Sequence, residues 1–243
     1  KVCAVALRIA TNFLTGTGKR LTLVALAIFD LDHTLLDGDS DHAWGQYLVD
    51  QGLADPEQHK LRNDYFYEQY KAGTLDINEY LAFALKPLTQ YPLQHMLDTR
   101  AAFLKARIMP LISQKSRDLI AHHKRLGDTL LIITATNGFV TYPIAELLGI
   151  EHIIAPHPEM QDERYTGNIV GIPSFQQGKV VRLQDWLQQQ GFELAGSYFY
   201  SDSHNDLPLL EIVDNPVAVD PDDRLAAIAA QKGWPIISLR DQE

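Results

Sequence analysis

The sequence has little of three things: cysteine, positive charge and long uninterrupted apolar segments. Cys3 is the only cysteine among 243 residues, which excludes an internal disulfide or a cysteine zinc site and leads us to expect a cytoplasmic protein. No run of about 18 uncharged apolar residues occurs, so no membrane span is indicated. The formal net charge of −10 argues against nucleic acid as a partner.

The first twenty residues differ from the rest because they contain four basic side chains and no acidic one. Their apolar stretch Val2–Leu7 is short and ends at Arg8, which is unlike a secretory signal. The segment Gly16–Lys19 lacks the upstream glycine of a phosphate-binding loop. We treat residues 1–20 as an N-terminal extension of unclear role.

The most informative stretch begins with the apolar run Leu21–Phe29, which predicts a buried parallel strand. Asp30 and Asp32 follow where that strand ends, and their spacing places both side chains on one side of an extended chain. Thr34 comes next, before a polar loop. A single Asp here would suggest a turn or a helix cap, whereas two with a threonine favour a ligand site at the carboxyl end of the strand.

Two neighbouring carboxylates suggest a specific chemistry. They repel each other unless a cation or a shared proton lies between them, and Mg²⁺ prefers oxygen ligands and phosphate. One carboxylate can attack phosphorus, and the other can protonate the leaving oxygen and later activate water. The pair therefore suffices for two-step hydrolysis of a phosphate ester, provided that a further metal ligand, a cation and a hydroxyl lie nearby.

Residues 38–110 show helical rather than strand patterns, which predicts a helical insert after the first strand. The predicted helices are His42–Val49, Pro56–Tyr70, Ile77–Leu85 and Leu93–Ile108, punctuated by Gly73, Pro87, Pro92 and Pro110. We expect most aromatic residues of this segment to form a core of its own. A minority are candidates to line a substrate pocket: Trp44, Tyr47, Tyr65 and Tyr67.

From residue 111 onward, helices and strands alternate, which predicts an α/β fold with a parallel sheet flanked by helices. The predicted strands are Thr129–Thr134, Ile150–Ala155, Ser197–Ser201 and Pro216–Val219, with part of a hairpin at Tyr165–Val170. The predicted helices are Leu111–Leu126, Phe139–Leu148 and Gln176–Gln190. We assign residues 21–37 and 111–243 to this core and 38–110 to the insert.

Further polar residues lie at or near the ends of later strands. Thr134 and Ala135 begin a strand-to-helix turn that could cradle phosphate, although an ordinary helix cap is the alternative. Lys179 lies near a helix N-terminus, where a cation is unfavourable without an anionic partner. Asp202 and Asp206 follow another strand, where an Asx-rich loop is the simpler explanation. The recurrence of such residues in one order favours a shared site.

This ordered set resembles the haloacid dehalogenase superfamily, in particular its subfamily IB, the phosphoserine-phosphatase-like branch. Asp30-Leu31-Asp32-His33-Thr34 is similar to the first motif of the family, Thr134 to the second, Lys179 to the third and Asp202–Asp206 to the fourth. The resemblance covers about residues 22–240. It implies a Rossmann-like core with an inserted helical cap.

By that resemblance, Asp30 is the nucleophile and Asp32 the general acid and base. The resemblance further implies that Mg²⁺ is held by Asp30, the backbone carbonyl of Asp32 and Asp202. It also implies that the phosphoryl group is bound by Thr134, Ala135, Lys179 and Asn205, and that Asp206 supports Lys179. The second Asp of the first motif favours phosphoryl transfer over dehalogenation, because a halide leaving group needs no proton.

Substrate choice depends on the insert. Phosphoserine enzymes of this branch use a cap acid and a cap arginine, and Asp39 stands near the place of the acid, with Trp44 as a second pocket candidate. No arginine occurs in residues 74–84, where one is expected, so a substrate carboxylate would lack its charged partner. We therefore expect a small aminated phosphate such as histidinol phosphate. The alternatives are a phosphoserine phosphatase, a phosphotransferase with the same aspartyl phosphate, and a fold that binds phosphorylated ligands without turnover.

Overall fold

A computed structural model of the protein describes residues 25–241. The N-terminal extension and the first four residues of the predicted strand Leu21–Phe29 lie outside these described residues. The strands are β1 (Leu26–Phe29), β2 (Thr129–Ile133), β3 (His152–Ile154), β4 (His157–Gln161), β5 (Arg164–Val170), β6 (Tyr198–Ser201), β7 (Asn215–Val219) and β8 (Ile236–Ile237).

Six of the strands within residues 25–241 form one parallel sheet in the order β3-β2-β1-β6-β7-β8. Strand β1 is central and fully buried because it is apolar on both faces. Ala27 and Phe29 belong to the hydrophobic cluster on one face of the sheet, and Leu26 and Ile28 to the cluster on the other. The predicted α/β fold with a parallel sheet and flanking helices is therefore confirmed.

The strand order creates a switch point beside β1. The chain proceeds from β1 to β2 and β3 on one side, then returns to β6 on the other side. Such a reversal leaves a crevice at the carboxyl ends of the two strands between which it occurs, here β1 and β6. Asp30 and Asp202 directly follow these two strands.

Helices cover the sheet and form the segment between β1 and β2. They are α1 (Ser40–Asp50), α2 (Pro56–Ala72), α3 (Ile77–Gln90), α4 (Leu93–Phe103), α5 (Gln114–Leu126), α6 (Gly138–Leu148), α7 (Gln177–Gln190), α8 (Leu207–Leu210) and α9 (Asp223–Lys232). Helix α2 illustrates how the sequence sets the ends: the Asp55 carboxylate accepts from the backbone N–H of Gln58, and Gly73 ends the helix with φ 75°. In the described part of the chain, no helix has both the length and the apolarity to cross a membrane.

Several predicted boundaries are wrong for physical reasons; for example, helix α5 begins at Gln114 rather than Leu111 because Ser113 is its N-cap. Helix α3 continues through Pro87 to Gln90 instead of ending at Leu85, because buried Leu88 extends its apolar face beyond the proline. Strand β3 begins at His152 rather than Ile150, since the backbone N–H of Ile150 donates to Ala145 O and helps to close the end of α6.

The aromatic residues of the insert form two groups: Phe66, Tyr80 and Phe83 pack against one another within the insert, as expected, whereas others join the core of the sheet. Trp44 packs against Phe103 within the insert and against Phe139 of α6, with ring centroids 5.1 and 5.8 Å apart. These three residues belong to the hydrophobic cluster that also contains Phe29 of the central strand. Tyr65 and Tyr67 instead have exposed side chains. The insert therefore has an aromatic cluster of its own and also contributes to the core of the sheet.

The antiparallel hairpin β4–β5 lies outside the main sheet and packs against the insert. The ring of Tyr165 in β5 lies edge-on to Phe139, with centroids 5.6 Å apart. A Cβ on Gly167 would come within 3.2 Å of the Thr89 side chain in α3, and its φ of 89° also favours glycine. The hairpin thus contacts the insert from the side of the α/β core.

Candidate active site

A buried lysine connects carboxylates that follow two neighbouring strands. Lys179, in the first turn of α7, places Nζ 2.7 Å from Asp30 Oδ1 and 2.7 Å from Asp206 Oδ2. The Ser201 hydroxyl also donates to Asp206 Oδ2, at 2.7 Å. The backbone N–H of Asp30 donates to Tyr200 O at 2.9 Å, which holds the end of β1 against β6. The structure thus brings together Asp30, Lys179 and Asp206, which are distant in the sequence.

Negative charge exceeds positive charge at this centre. Burial is the main cause that raises the pKa of Asp30 to about 7; the charge of Lys179 opposes the shift and that of Asp206 adds to it. Burial opposes protonation of Lys179, but the charges of Asp206 and Asp30 outweigh it and raise the lysine pKa. Burial, followed by the charges of Asp30 and Asp206, raises the pKa of Asp202 well above its usual range. One lysine therefore does not balance these three carboxylates.

Thr34 connects the loop after β1 to the loop after β6. Its hydroxyl donates to Asp202 Oδ1 and accepts from the backbone N–H of Asp202, both at 3.1 Å. The preceding residue, His33, has φ 54°, a left-handed conformation that costs a non-glycine residue about 1 kcal/mol or more. This turn directs the side chains of Asp32 and Thr34 to different partners.

Asp32 is held by the insert and by the turn after β2. Its Oδ1 accepts from the backbone N–H of Ser40 and its Oδ2 from the Thr136 hydroxyl, both at 2.7 Å. Burial raises the pKa of Asp32 to about 6, the charge of Asp39 adds to the shift, and the bonds from Ser40 and Thr136 oppose it. Sequence reasoning missed Ser40 and Thr136 as partners of Asp32, although a second hydroxyl two residues after Thr134 was a visible signal.

The turn after β2 places the other phosphate-binding candidates. Thr134 is buried, its hydroxyl oxygen accepts from the backbone N–H of Thr136 at 3.1 Å, and its carbonyl accepts from the Ser174 hydroxyl at 2.6 Å. Ala135 lies between Thr134 and Thr136 in the sequence and is half-buried. The turn leads directly into α6, so its backbone N–H groups lie at a helix N-terminus.

The C-terminal end of α2 is fixed over the site by three side chains of the α/β core, which we term the α2 latch: Gln176, Asn205 and Arg224. Asn205 Nδ2 donates to Tyr70 O at 3.2 Å, Gln176 Nε2 to Gly73 O at 3.3 Å, and Arg224 to Ala72 O at 3.4 Å. Gln176 also donates to Asn205 Oδ1 at 2.9 Å. Sequence reasoning placed Asn205 at phosphate; the structure shows its side chain in the latch.

Two features connect the latch to the carboxylate centre. The Tyr70 hydroxyl donates to Ser203 Oγ at 2.8 Å, and the charges of Asp202 and Asp206 add to burial in raising the pKa of Tyr70. Gln176 has φ 47° immediately before α7, the helix that carries Lys179. A backbone strained in this way persists only where surrounding contacts hold it.

The two substrate-pocket candidates have structural contacts. Asp39 is the N-cap of α1, and its Oδ1 accepts from the backbone N–H groups of Asp41 and His42. Trp44 is buried in the core of the sheet and also lines a cavity of about 750 Å³ between α1, α2 and α3. Sequence reasoning missed Asp41, whose carboxyl is buried between Tyr80 and Asn137.

The donor set at the switch point suits a hard divalent cation. Within the described residues, no three His, Cys, Asp or Glu side chains are placed to hold a metal ion together. A site formed by the carboxylates of Asp30 and Asp202 and the backbone carbonyl of Asp32 needs only two side chains, because Mg²⁺ retains waters or binds phosphate oxygens at its other positions. The unbalanced buried charge of Asp30 and Asp202 fits such an ion.

Comparisons with known proteins agree with this architecture. A family model described as haloacid dehalogenase-like hydrolase matches residues 27–211. A histidinol-phosphatase from Neisseria meningitidis serogroup C is 45% identical over 219 residues, covering 88% of this chain and 99% of that protein. The crystal structure of a Bordetella pertussis protein of unknown function has a TM-score of 0.84 at 43% identity, covering 89% of this chain and 99% of that chain.

A phosphoserine phosphatase solved as a phospho-aspartyl intermediate analogue has a TM-score of 0.66 at 16% identity, covering 90% of this chain and 95% of that one. At this identity the similarity concerns the fold alone. It extends over the helical insert as well as the sheet, because nearly the whole of both chains is aligned.

Proposed function

The chain belongs to the haloacid dehalogenase-like hydrolase family and is a phosphatase, and we propose that it hydrolyses a small aminated phosphate monoester by way of a phosphorylated Asp30. The observation that carries the proposal is the buried contact between Lys179 Nζ and Asp30 Oδ1, 2.7 Å long, at the switch point of the sheet. A lysine there neutralises a phosphoryl group beside the attacking carboxylate.

In the first step, an Asp30 carboxylate oxygen attacks phosphorus, and the bond from phosphorus to the ester oxygen breaks. Asp32 donates its proton to that leaving oxygen, a role that the raised pKa of about 6 favours. In the second step, Asp32 takes a proton from water while the water oxygen attacks phosphorus. The bond to Asp30 then breaks and inorganic phosphate leaves. Asp30 is again a free carboxylate, and Asp32 is again protonated.

The remaining residues bind and orient the phosphoryl group. Lys179, the Thr134 hydroxyl and the backbone N–H of Ala135 are its proposed donors, supported by their positions after β2 and at the start of α7. Asp30, Asp202 and the backbone carbonyl of Asp32 are the proposed ligands of Mg²⁺. When bound, Mg²⁺ supplies positive charge to the phosphoryl oxygens.

Among small aminated phosphates, histidinol phosphate is the proposed substrate, and two observations support it. The Neisseria relative at 45% identity is named a histidinol-phosphatase. Each of the three arginines of the insert already has a partner: Arg62 pairs with Glu79, Arg107 pairs with Asp50, and Arg100 donates to Phe139 O. A small phosphorylated metabolite as substrate also agrees with the cytoplasmic location expected from the single cysteine.

The proposal is tested by the release of inorganic phosphate from histidinol phosphate, phosphoserine and 4-nitrophenyl phosphate, using chelator-treated protein with and without added Mg²⁺. We expect Mg²⁺-dependent hydrolysis, a higher kcat/KM for histidinol phosphate than for phosphoserine, and loss of activity in Asp30→Asn. Asp98→Asn, at an exposed position in α4, is the matched control and retains activity.

Each alternative has its own outcome. A phosphotransferase would release less inorganic phosphate than alcohol product when an acceptor such as glycerol is present. Preference for phosphoserine would overturn the substrate proposal but leave the chemistry intact. Metal-loaded protein that hydrolyses none of the three phosphates would overturn the whole proposal and favour a binding protein.

A further inference from the structure

A further buried carboxyl group, that of Asp41, lies beside the active site and has no role in the proposed reaction. Asp41, in the first turn of α1, is only 7% exposed. Its Oδ2 accepts from the Tyr80 hydroxyl at 2.7 Å, and its Oδ1 lies 3.4 Å from Asn137 Nδ2. Within residues 25–241, no lysine, arginine or histidine forms an ion pair with it. A buried carboxylate without a cation is costly.

A buried acceptor next to Asp41 has no hydrogen-bond donor. Asn137 is 1% exposed, and its Oδ1 has no hydrogen-bond donor. Few buried polar atoms in folded proteins lack a partner, so Asn137 Oδ1 is available to accept a hydrogen bond from a bound ligand. The Asp41 carboxylate and Asn137 Oδ1 are both acceptors, and a donor-rich, positively charged group complements them.

This cluster lies on the leaving-group side of the site. The backbone N–H of Ser40 and the hydroxyl of Thr136 both bind Asp32, and these two residues directly precede Asp41 and Asn137. The charge of Asp32 also contributes to the raised pKa of Asp41, after burial and the charge of Asp39. Since Asp32 is the proposed acid for the leaving oxygen, the organic part of the substrate extends from Asp32 towards Asp41.

We propose that Asp41, together with Asn137 Oδ1, binds the ammonium group of the substrate and so determines the specificity for aminated phosphates. This inference rests on the proposed function and identifies the residues that select its substrate. An ammonium group has three N–H groups, which can donate to the Asp41 carboxylate and to the side-chain oxygen Oδ1 of Asn137. Asp39, the acid implied by the family resemblance, is instead engaged as the N-cap of α1.

The test compares histidinol phosphate with 3-(imidazol-4-yl)propyl phosphate, the same molecule without its amino group. For the wild type, kcat/KM should be higher for the aminated ester. In Asp41→Asn, we expect this ratio to fall by about 10- to 100-fold, mainly through the KM of the aminated ester, because a charge-assisted bond is lost. Asp76→Asn, the N-cap of α3, is the matched control and should keep the wild-type ratio.

A measurement on the wild type alone keeps the inference testable if Asp41→Asn does not fold. Phosphoethanolamine and ethyl phosphate differ in one ammonium group, and we expect the former to inhibit at a concentration about tenfold lower or more. Equal inhibition by the two, or an unchanged ratio in folded Asp41→Asn, would overturn the role of Asp41 while phosphatase activity persists. Absence of activity towards every phosphate would instead refute the proposed function, and the inference with it.

Discussion

Thr34 and Asp202 exchange two hydrogen bonds across the switch point, although 168 positions separate them in the sequence. The threonine hydroxyl donates to one carboxylate oxygen of Asp202 and accepts from its backbone N–H. This contact orients one of the two carboxylates proposed to hold Mg²⁺. A residue that orients a metal ligand contributes to affinity even when it does not touch the ion.

Replacing Thr34 by valine should therefore weaken metal binding. Valine keeps the shape of threonine but removes both hydrogen bonds, so Asp202 loses its orientation. We expect the Mg²⁺ concentration for half-maximal activity to rise about 10- to 100-fold. A Mg²⁺ titration of phosphatase activity measures this, with Thr34→Ser as the control that keeps the hydroxyl. An unchanged titration for Thr34→Val would contradict the proposed role of Asp202.

Replacing Lys179 by methionine should destabilise the metal-free protein and abolish activity. Lys179 is 2% exposed, and the change leaves Asp30 and Asp206 buried without their cation. We expect the free energy of unfolding to fall by about 3–5 kcal/mol in urea titrations. Lys232→Met, which breaks the exposed pair with Glu211, should cost about 0–1 kcal/mol.

The double variant Lys179→Met with Asp206→Asn separates stability from catalysis. Removing the charge of Asp206 should restore part of the stability, because one fewer buried carboxylate then lacks a cation. Activity should stay absent, since the lysine that binds the phosphoryl group is missing. Equal stability of wild type and Lys179→Met would contradict the buried ion pairs of Lys179 with Asp30 and Asp206.

Replacing Thr136 by valine should shift the pH dependence of the reaction. The Thr136 hydroxyl donates to Asp32 and favours its ionised form, so removing it raises the pKa of Asp32 above about 6. Asp32 must be protonated to act as the acid, so kcat/KM falls as pH rises through this pKa. We expect the basic limb for histidinol phosphate to move up by about one pH unit.

Thr136→Ser is the matched control for this shift, because it keeps the hydroxyl and should preserve the wild-type limb. A basic limb that stays in place or moves to lower pH in Thr136→Val would contradict the assignment of Asp32 as the acid. The profile should be measured at saturating Mg²⁺, so that metal binding does not limit the rate.

Replacing Asn205 by alanine should loosen the α2 latch. The change removes the donor to Tyr70 O and the acceptor for Gln176, each worth about 0.5–1.5 kcal/mol net. We expect faster amide hydrogen exchange at the C-terminal end of α2 and a higher KM. The control is Asn168→Ala, whose exposed side chain bonds Glu159. Unchanged exchange with weaker inhibition by inorganic phosphate would instead support the sequence-based role of Asn205 at phosphate.

The sequence by itself determined the sheet and the identity of the main polar residues. The apolar run before Asp30 can be satisfied only by burial on both faces, which makes it a central strand, and β1 is central and buried. Four residues can be recognised because each departs from the pattern of its neighbours. Three are carboxylates beside buried strands, namely Asp30, Asp32 and Asp202, and the fourth is the cation Lys179 at the start of a helix. Such departures are local and can be read from neighbouring residues.

The tertiary structure alone decided which side chains meet. The strand order places β6 beside β1, and only this adjacency brings Asp202 to Thr34. Asp41 and Gln176 carry no local signal, because any polar residue could stand at a helix start. The contacts of Asp41 with Asn137 and of Gln176 with Gly73 arise from the packing of the insert on the core. Contacts between distant segments depend on the free energy of the whole packed chain, which no short stretch of sequence contains.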